Sequence, residues 1–366
     1  MSRAAVCGYF GFNNAGDEAV LYAMLRAWRT LYPGCEPLVL SADPEATRRA
    51  YQVEAAPRWP LPQLAAALRQ VEVLVHGGGS LLQDTTGLPS LLYYLGVIHL
   101  ARRLGKPVAV FCQGMGPLES GLSRRLVPRV LDKVDLLSVR DQDSAQLLKK
   151  IGVIHPVEVY ADPVFLLDPE AVAANVAAER QSLVAQGLAS DRKLAAFALR
   201  PWPGWERVAG EVVATARWLQ DHGWQVVFLP FQPPQDAGIS QQLARQCGAG
   251  AVVLTWSQLP SLIGLVGNMN LMIGMRLHAL ILAALLEIPA VGLVYDPKVK
   301  SFLAQAGLPG LGPPEWGEGK LLPLVTELLA AQKSIILQVN SQVRVLRHQA
   351  RAGMERLGQV WPGIFH

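Results

Sequence analysis

"AAVCGYFGFNNAGDEAVLYAML", residues 4–25, sets an apolar run, a turn rich in glycine and asparagine, and a helical recurrence of apolar positions one after another. That order predicts a strand, a tight loop and a helix over 16–31, the first piece of a parallel α/β unit. In such units a phosphate usually sits at the helix N-terminus, where free N–H groups and the helix dipole favour negative charge. Here the first turn of the helix carries Asp17 and Glu18, which would repel it. Carboxylates beside Asn13 and Asn14 suit neutral hydroxyls such as those of a sugar, and one of them could deprotonate a hydroxyl. The same two residues would also stabilise the helix dipole with no ligand present.

Outward from this stretch the grammar repeats. "PLVLSAD" (37–43), "VEVLVHGGG" (71–79), "PVAVFCQG" (107–114), "DLLSVR" (135–140) and "VEVYADP" (157–163) read as strands, with helical patterns at 44–51, 89–104, 122–132 and 142–151 between them. This predicts a doubly wound, Rossmann-like α/β domain over 1–166. An alanine-rich helix over 167–192 reads as a hinge or linker. The grammar restarts in "KLAAFALRPW" (193–202), "WQVVFLPF" (224–231), "AVVLTW" (251–256), "NLMIGM" (270–275) and "AVGLVY" (290–295), which predicts a second Rossmann-like domain over 193–332. Two such domains facing across a cleft would bring strand ends and their loops together, where ligands bind in open sheets. The helical segment 333–366 is expected to fold back over the first domain.

Composition limits the function classes. The 366 residues are 51% apolar and only 17% charged, enough to bury two cores without cross-links. A net charge of +4 is too small for a nucleic-acid footprint and compatible with anionic substrates or lipid headgroups. The four cysteines lie far apart, and Cys7 and Cys112 fall in strand-like runs, so buried free thiols in a reducing compartment are expected. With no signal core and no uninterrupted apolar span, a cytoplasmic protein is expected. Residues 333–366 hold five Lys or Arg against one Glu, so a packed helix with a basic face, or peripheral contact with a membrane surface, are both open.

The second half reverses the polarity of the first. In "NLMIGMRLHALILAA" (270–284) Arg276 falls where a strand turns into a helix, and a cation at a helix N-terminus is unfavourable unless an anion joins it. Arginine offers a planar fork for carboxylate or phosphate oxygens, and His278 could donate a proton, contact the anion or sit in the core. In "HGGGSLLQD" (76–84), Gly77, Gly78 and Gly79 would let backbone N–H groups approach a ligand, although tight turns use glycine too. "LSVRDQDS" (137–144) puts Arg140 beside Asp141, and "LVYDPKVKSF" (293–302) puts Lys298 and Lys300 after a strand, one of them aimed at a ligand and the other at water.

These residues, taken in order through "GYFGFNNAGDEA", "VHGGGSLLQD", "CQGMGPL", "SVRDQDS", "ADPVF", "GMRLHALI" and "GLVYDPKV", make the chain similar to the polysaccharide pyruvyl transferases of the bacterial CsaB type. The resemblance implies a GT-B-like architecture and transfer of a pyruvyl group from phosphoenolpyruvate to two hydroxyls of a sugar, as a cyclic ketal with release of phosphate. It also implies a cell-surface acceptor, such as lipid-linked N-acetylmannosamine in S-layer anchoring or exopolysaccharide biosynthesis. Arg276, His278 and Lys298 match the anion-binding positions of that family, with Arg140 or Arg200 as additions. The donor then belongs to the second domain. The sugar meets Asn14, Asp17, Glu18 and the glycine loop of the first. His278 is the expected acid and Asp17 or Glu18 the expected base. No metal-ligand spacing stands out, so neither metal nor cofactor is expected. A GT-B nucleotide-sugar glycosyltransferase or epimerase is the first alternative, and a non-catalytic glycan-binding protein the second.

Overall fold

Residues 73–77 and 108–113 are buried along their whole length, as strands covered by helices on both faces must be. They lie at the centre of the first of two parallel sheets in the computed structural model, which describes residues 2–85, 87–189 and 191–365. The first unit comprises Met1–Leu166 and Leu346–His366. Its elements run β1 (Ser2–Cys7), α1 (Ala15–Leu31), β2 (Cys35–Ser41), α2 (Pro44–Tyr51), β3 (Glu54–Pro57), α3 (Leu61–Arg69) and β4 (Val73–Gly77). They continue as α4 (Leu88–Arg103), β5 (Val108–Gln113), α5 (Gly121–Leu131), β6 (Leu136–Val139), α6 (Gln142–Lys150) and β7 (Glu158–Val159). The strand order is β3-β2-β1-β4-β5-β6-β7, so the winding direction reverses between β1 and β4.

The second unit is Leu167–Val345. It holds α7 (Pro169–Ala185), β8 (Leu194–Ala198), α8 (Glu206–Asp221), β9 (Gln225–Phe228), α9 (Pro233–Cys247), β10 (Ala251–Val253), α10 (Leu259–Gly267) and β11 (Leu271–Gly274). Then follow α11 (Leu277–Leu285), β12 (Ala290–Leu293), α12 (Pro297–Ala306), β13 (Gly310–Leu311) and α13 (Leu321–Ala330). The order β10-β9-β8-β11-β12-β13 reverses between β8 and β11. Both units are therefore doubly wound and Rossmann-like.

In the segment 167–192, expected as a hinge or linker, α7 groups with the second unit and lies so close along α10 that a side chain at Gly264 would strike the Asn175 carbonyl. The segment 333–366 divides. α14 (Gln332–Val360) begins in the second unit, and its residues from Leu346 on, with α15 (Pro362–Phe365), belong to the first. There Leu346, Ala350, Met354 and Leu357 recur as a buried stripe. The Tyr32 hydroxyl donates to the Met354 carbonyl, and the Phe365 ring packs 4.8 Å from that of Tyr32. Arg344 and Arg351 are exposed, whereas Arg356 pairs with Glu158 at 2.9 Å. Among the described residues no single helix is long and apolar enough to cross a membrane. Cys7, Cys35, Cys112 and Cys247 are all buried free thiols, and burial pushes Cys7 up to about 12.

Candidate functional site

In the first unit the reversal point places the loop after β1 beside the loop after β4, which are the two stretches "GYFGFNNAGDEA" and "VHGGGSLLQD". Asn14 caps α1, its side-chain oxygen accepting from the Gly16 N–H at 3.0 Å. That oxygen therefore already accepts one hydrogen bond from the helix.

Asp17 and Glu18 part company. Glu18 is 8% exposed, and its two oxygens accept from the Gly11 N–H at 2.8 Å and the Tyr51 hydroxyl at 2.6 Å. Both oxygens, expected to face substrate hydroxyls, are thus engaged inside the fold, where they hold the loop at Gly11. Burial pushes its carboxyl above the usual range, against the lowering effect of those two hydrogen bonds. The folded state thus takes up a proton that the unfolded chain releases, so its penalty applies at neutral pH and fades as pH falls through the raised value. Glu18→Gln, whose amide oxygen can accept the Gly11 N–H while its NH2 donates to the Tyr51 oxygen, carries no charge and is expected to melt at or above the parent temperature at neutral pH. Its advantage should shrink as pH falls through the raised value towards the ordinary carboxyl range. Glu18→Ala, which orphans the Gly11 N–H and Tyr51 hydroxyl, should lose about 1 to 3 kcal/mol. Thermal melts of the three proteins across that pH range check both signs, and a Glu18→Gln melt well below the parent's would refute the assignment.

Asp17 is half-buried and stands over the glycine loop: a Cβ on Gly79, which has φ +69°, would collide with its Oδ1. The other two glycines are explained by packing, Gly77 against the Phe111 carbonyl and Gly78 against Val20. The Gly78 N–H donates to the Phe111 carbonyl at 3.2 Å, so it is spent inside the sheet and not on a ligand.

Around Asp17 the structure gathers aromatic residues that the sequence reading did not single out. The rings of Tyr9 and Phe12 stack at 4.1 Å with planes 10° apart. The Arg58 guanidinium lies 5.0 Å from the Phe12 ring, 4.4 Å from Tyr93 and 5.2 Å from Tyr94, and donates to the Gly8 carbonyl at 3.3 Å. Three aromatic residues around Gly11, namely Tyr9, Phe10 and Phe12, in a loop directly after a strand were the available signal. Behind them His76 is fully buried, which pushes it down to about 3 and keeps it neutral. Its Nδ1 lies 2.7 Å from the Gln113 amide nitrogen.

Arg140, the other arginine expected as an addition to the anion set, is paired within the first unit. It is a residue of the first unit, 5% exposed, bonded to Asp162 at 2.9 Å and Ser80 at 3.0 Å with Asp141 at 3.6 Å. It ties the loop after β4 to the exit of β7.

In the second unit the reversal lies between β8 and β11, and the Ala198 carbonyl accepts from both Met275 N–H at 2.9 Å and Arg276 N–H at 3.3 Å. Arg276 is the N-cap of α11, and no side chain caps the helix. The anion expected there is partly supplied by the chain itself: Arg276 Nε donates to Asp236 Oδ2 at 3.0 Å and Nη2 to Oδ1. Asp236 is fully buried and also accepts the Phe231 and Gln232 N–H groups at 3.1 and 2.9 Å. The guanidinium is thus oriented by its Nε and Nη2 edge, and Nη1 takes no part in that pair.

Arg200, two residues beyond β8, sits 5.3 and 5.2 Å from the Trp202 and Tyr295 rings and donates from Nη1 to the Tyr295 hydroxyl at 3.2 Å. Its Nε is buried with no hydrogen-bond partner. His278 is half-buried in the first turn of α11. Lys298 is half-buried at the start of α12 with Nζ 3.3 Å from Asp296, while Lys300 is exposed. Arg200, Arg276 and His278 therefore share one reversal point, and Lys298 stands at the end of the next strand. Among the described residues no group of three or more His, Cys, Asp or Glu side chains is arranged to hold a metal ion.

A family model described as polysaccharide pyruvyl transferase matches residues 14–297. Among solved structures, the UDP-GlcNAc 2-epimerase from Neisseria meningitidis bound to UDP-GlcNAc is similar at a TM-score of 0.64 and 12% identity, covering 99% of this chain and 100% of that one. HepE from Anabaena in complex with UDP-glucose gives 0.67 and 11%, over 99% and 100% of the two chains. MnaA from S. aureus with UDP gives 0.67 and 12%, over 100% and 98%. At these identities the likeness speaks for the fold alone and places the chain in the GT-B fold class.

Proposed function

The chain belongs to the polysaccharide pyruvyl transferase family, and from that premise we propose that it moves the pyruvyl group of phosphoenolpyruvate onto two hydroxyls of one sugar, forming a cyclic ketal and releasing phosphate. The observation that carries the donor side is the orphan Nε of Arg200 beside the uncapped N-terminus of α11. A buried guanidinium N–H without a partner is costly, and a bound anion is what would satisfy it. In this reading Arg200, the Nη1 of Arg276 and the first N–H groups of α11 hold the donor's phosphate and carboxylate. Lys298 adds charge at their edge.

The chemistry needs a proton at C3 of the enol, which leaves an oxocarbenium-like C2. One sugar hydroxyl attacks C2, the C2–O bond to phosphate breaks, and a second hydroxyl attacks to close the ketal. Of the two protons lost by the hydroxyls, one balances that gained at C3 and the other leaves with phosphate. His278 is the acid and Asp17 the base, with the cations stabilising the departing phosphate. The acceptor in this reading is a lipid-linked, N-acetylmannosamine-containing saccharide of a cell-wall polymer. The protein would meet it at the inner face of the plasma membrane, with the exposed Arg344 and Arg351 towards headgroups.

Incubation with phosphoenolpyruvate or a UDP-sugar, each with lipid-linked saccharide, tests the reaction: phosphate release with ketal formation is expected. UDP release would favour a nucleotide-sugar enzyme, and sugar binding without turnover a glycan-binding protein. Asp17→Asn should lower turnover far more than it weakens phosphoenolpyruvate binding. Equal losses in both would sink its assignment to the acceptor, and so would full turnover in a variant that only melts earlier.

A further inference from the structure

We propose that Tyr9, backed by Phe12, is the stacking platform for the acceptor sugar, so that the first unit selects pyranoses presenting a continuous C–H face, with Asp17 at the platform's edge taking their hydroxyls. The inference rests on reading this loop as the acceptor side, and it adds the face by which the ring is recognised and the residues that recognise it.

Three observations converge. First, Tyr9 and Phe12 are only half-buried although they are large aromatic residues in a loop directly after a central strand, and their near-parallel stack at 4.1 Å makes them one flat unit. Pyranoses are amphipathic: their C–H face sheds water onto an aromatic face while the equatorial hydroxyls stay at the rim for hydrogen bonding. Second, the rim chemistry is present. Burial raises the Tyr9 hydroxyl's pKa first and the Asp17 carboxylate raises it further, against Arg58, so the phenol stays protonated as a donor within electrostatic reach of an acceptor carboxylate. A phenol donor and a carboxylate acceptor together match the donor and acceptor capacity of a vicinal diol.

Third, the platform is fixed in advance. Glu18 holds the Gly11 N–H at 2.8 Å, the Ala42 N–H donates to the Phe10 carbonyl at 3.0 Å, and Arg58 anchors the Phe12 ring and the Gly8 carbonyl. Preorganisation of this kind removes the ordering cost that a mobile loop would bring to a weak ligand. It also gives the buried, charge-bearing Glu18 a purpose: it holds the loop that carries Tyr9 and Phe12.

Saturation-transfer NMR with the donor left out tests this, using the methyl glycosides of glucose, galactose and N-acetylmannosamine as probes. Saturation of aromatic protons should pass to ring C–H protons of at least one glycoside. Tyr9→Leu, which keeps apolar volume but no π face, should weaken that binding by about tenfold. Tyr9→Phe should retain it to within about threefold, and neither change should alter phosphoenolpyruvate affinity. Parental affinity in a folded Tyr9→Leu protein, or no glycoside bound by the parent, overturns the proposal. The proposed reaction fails separately: glycoside binding through Tyr9 without turnover of phosphoenolpyruvate would remove the reaction and leave the platform. Pyruvyl transfer at a parental acceptor KM in Tyr9→Leu would do the opposite.

Discussion

Asp236→Ala is expected to cost the second unit about 3 to 5 kcal/mol, the largest stability loss we anticipate for a single change. Asp236 is fully buried and accepts two backbone N–H groups besides the Nε and Nη2 of Arg276. Its removal leaves a guanidinium that is itself 8% exposed without its counter-charge, at a helix N-terminus where positive charge is already unfavourable. The same change should weaken phosphoenolpyruvate binding, because nothing then fixes the direction in which Nη1 points. Arg276→Lys should fare little better, since an ammonium cannot replace a fork held along one edge. Denaturant unfolding and a calorimetric titration with the donor measure the two effects. An unchanged midpoint in Asp236→Ala would mean that the pair contributes nothing to the fold.

His278→Gln is expected to spare donor binding while cutting turnover by roughly a hundredfold or more. Glutamine keeps the size and a hydrogen bond but cannot shuttle a proton at neutral pH. Set beside the Arg276 variants, this separates holding the anion from protonating the enol carbon. Near-parental turnover with normal donor binding would make His278 a structural residue of α11, and the acid would have to be sought elsewhere.

How much of this was legible in the sequence depends on how local the cause was. The long apolar strands and the helices between them declare themselves through periodicity: β4, β5, β8 and β11 fall inside the quoted runs, and β1 overlaps the first of them. β3 escaped because four residues, Glu54–Pro57, carry too little alternation and end in proline. α10 and α12 escaped because each follows a strand-like run closely and opens with proline at the first turn. At the sites, the residue types pointed to the right loops but not to their internal partners. Glu18 looks like Asp17 in a string of letters, and what separates them is Tyr51, 33 residues away. Arg276 looks free until Asp236, 40 residues away, is folded against it. Arg140 drew notice as a cation, whereas its neighbours consume its charge. A sequence shows which groups carry charge; only the fold shows which of those charges are already answered.

The division of α14 between the two units has a consequence for how the protein is made. The stripe Leu346, Ala350, Met354 and Leu357, with Phe365 against Tyr32, closes the core of a unit whose other residues all precede position 167. A ribosome delivers domains in order, and the leading one generally folds while the rest is still being synthesised. Here the leading sheet emerges with one flank bare and must keep it so while the whole of 167–345 is translated. Its own last helix arrives after the second unit is complete. The order of synthesis and the order of closure are out of step, and for that interval the nascent chain shows chaperones an apolar flank that the finished protein never exposes.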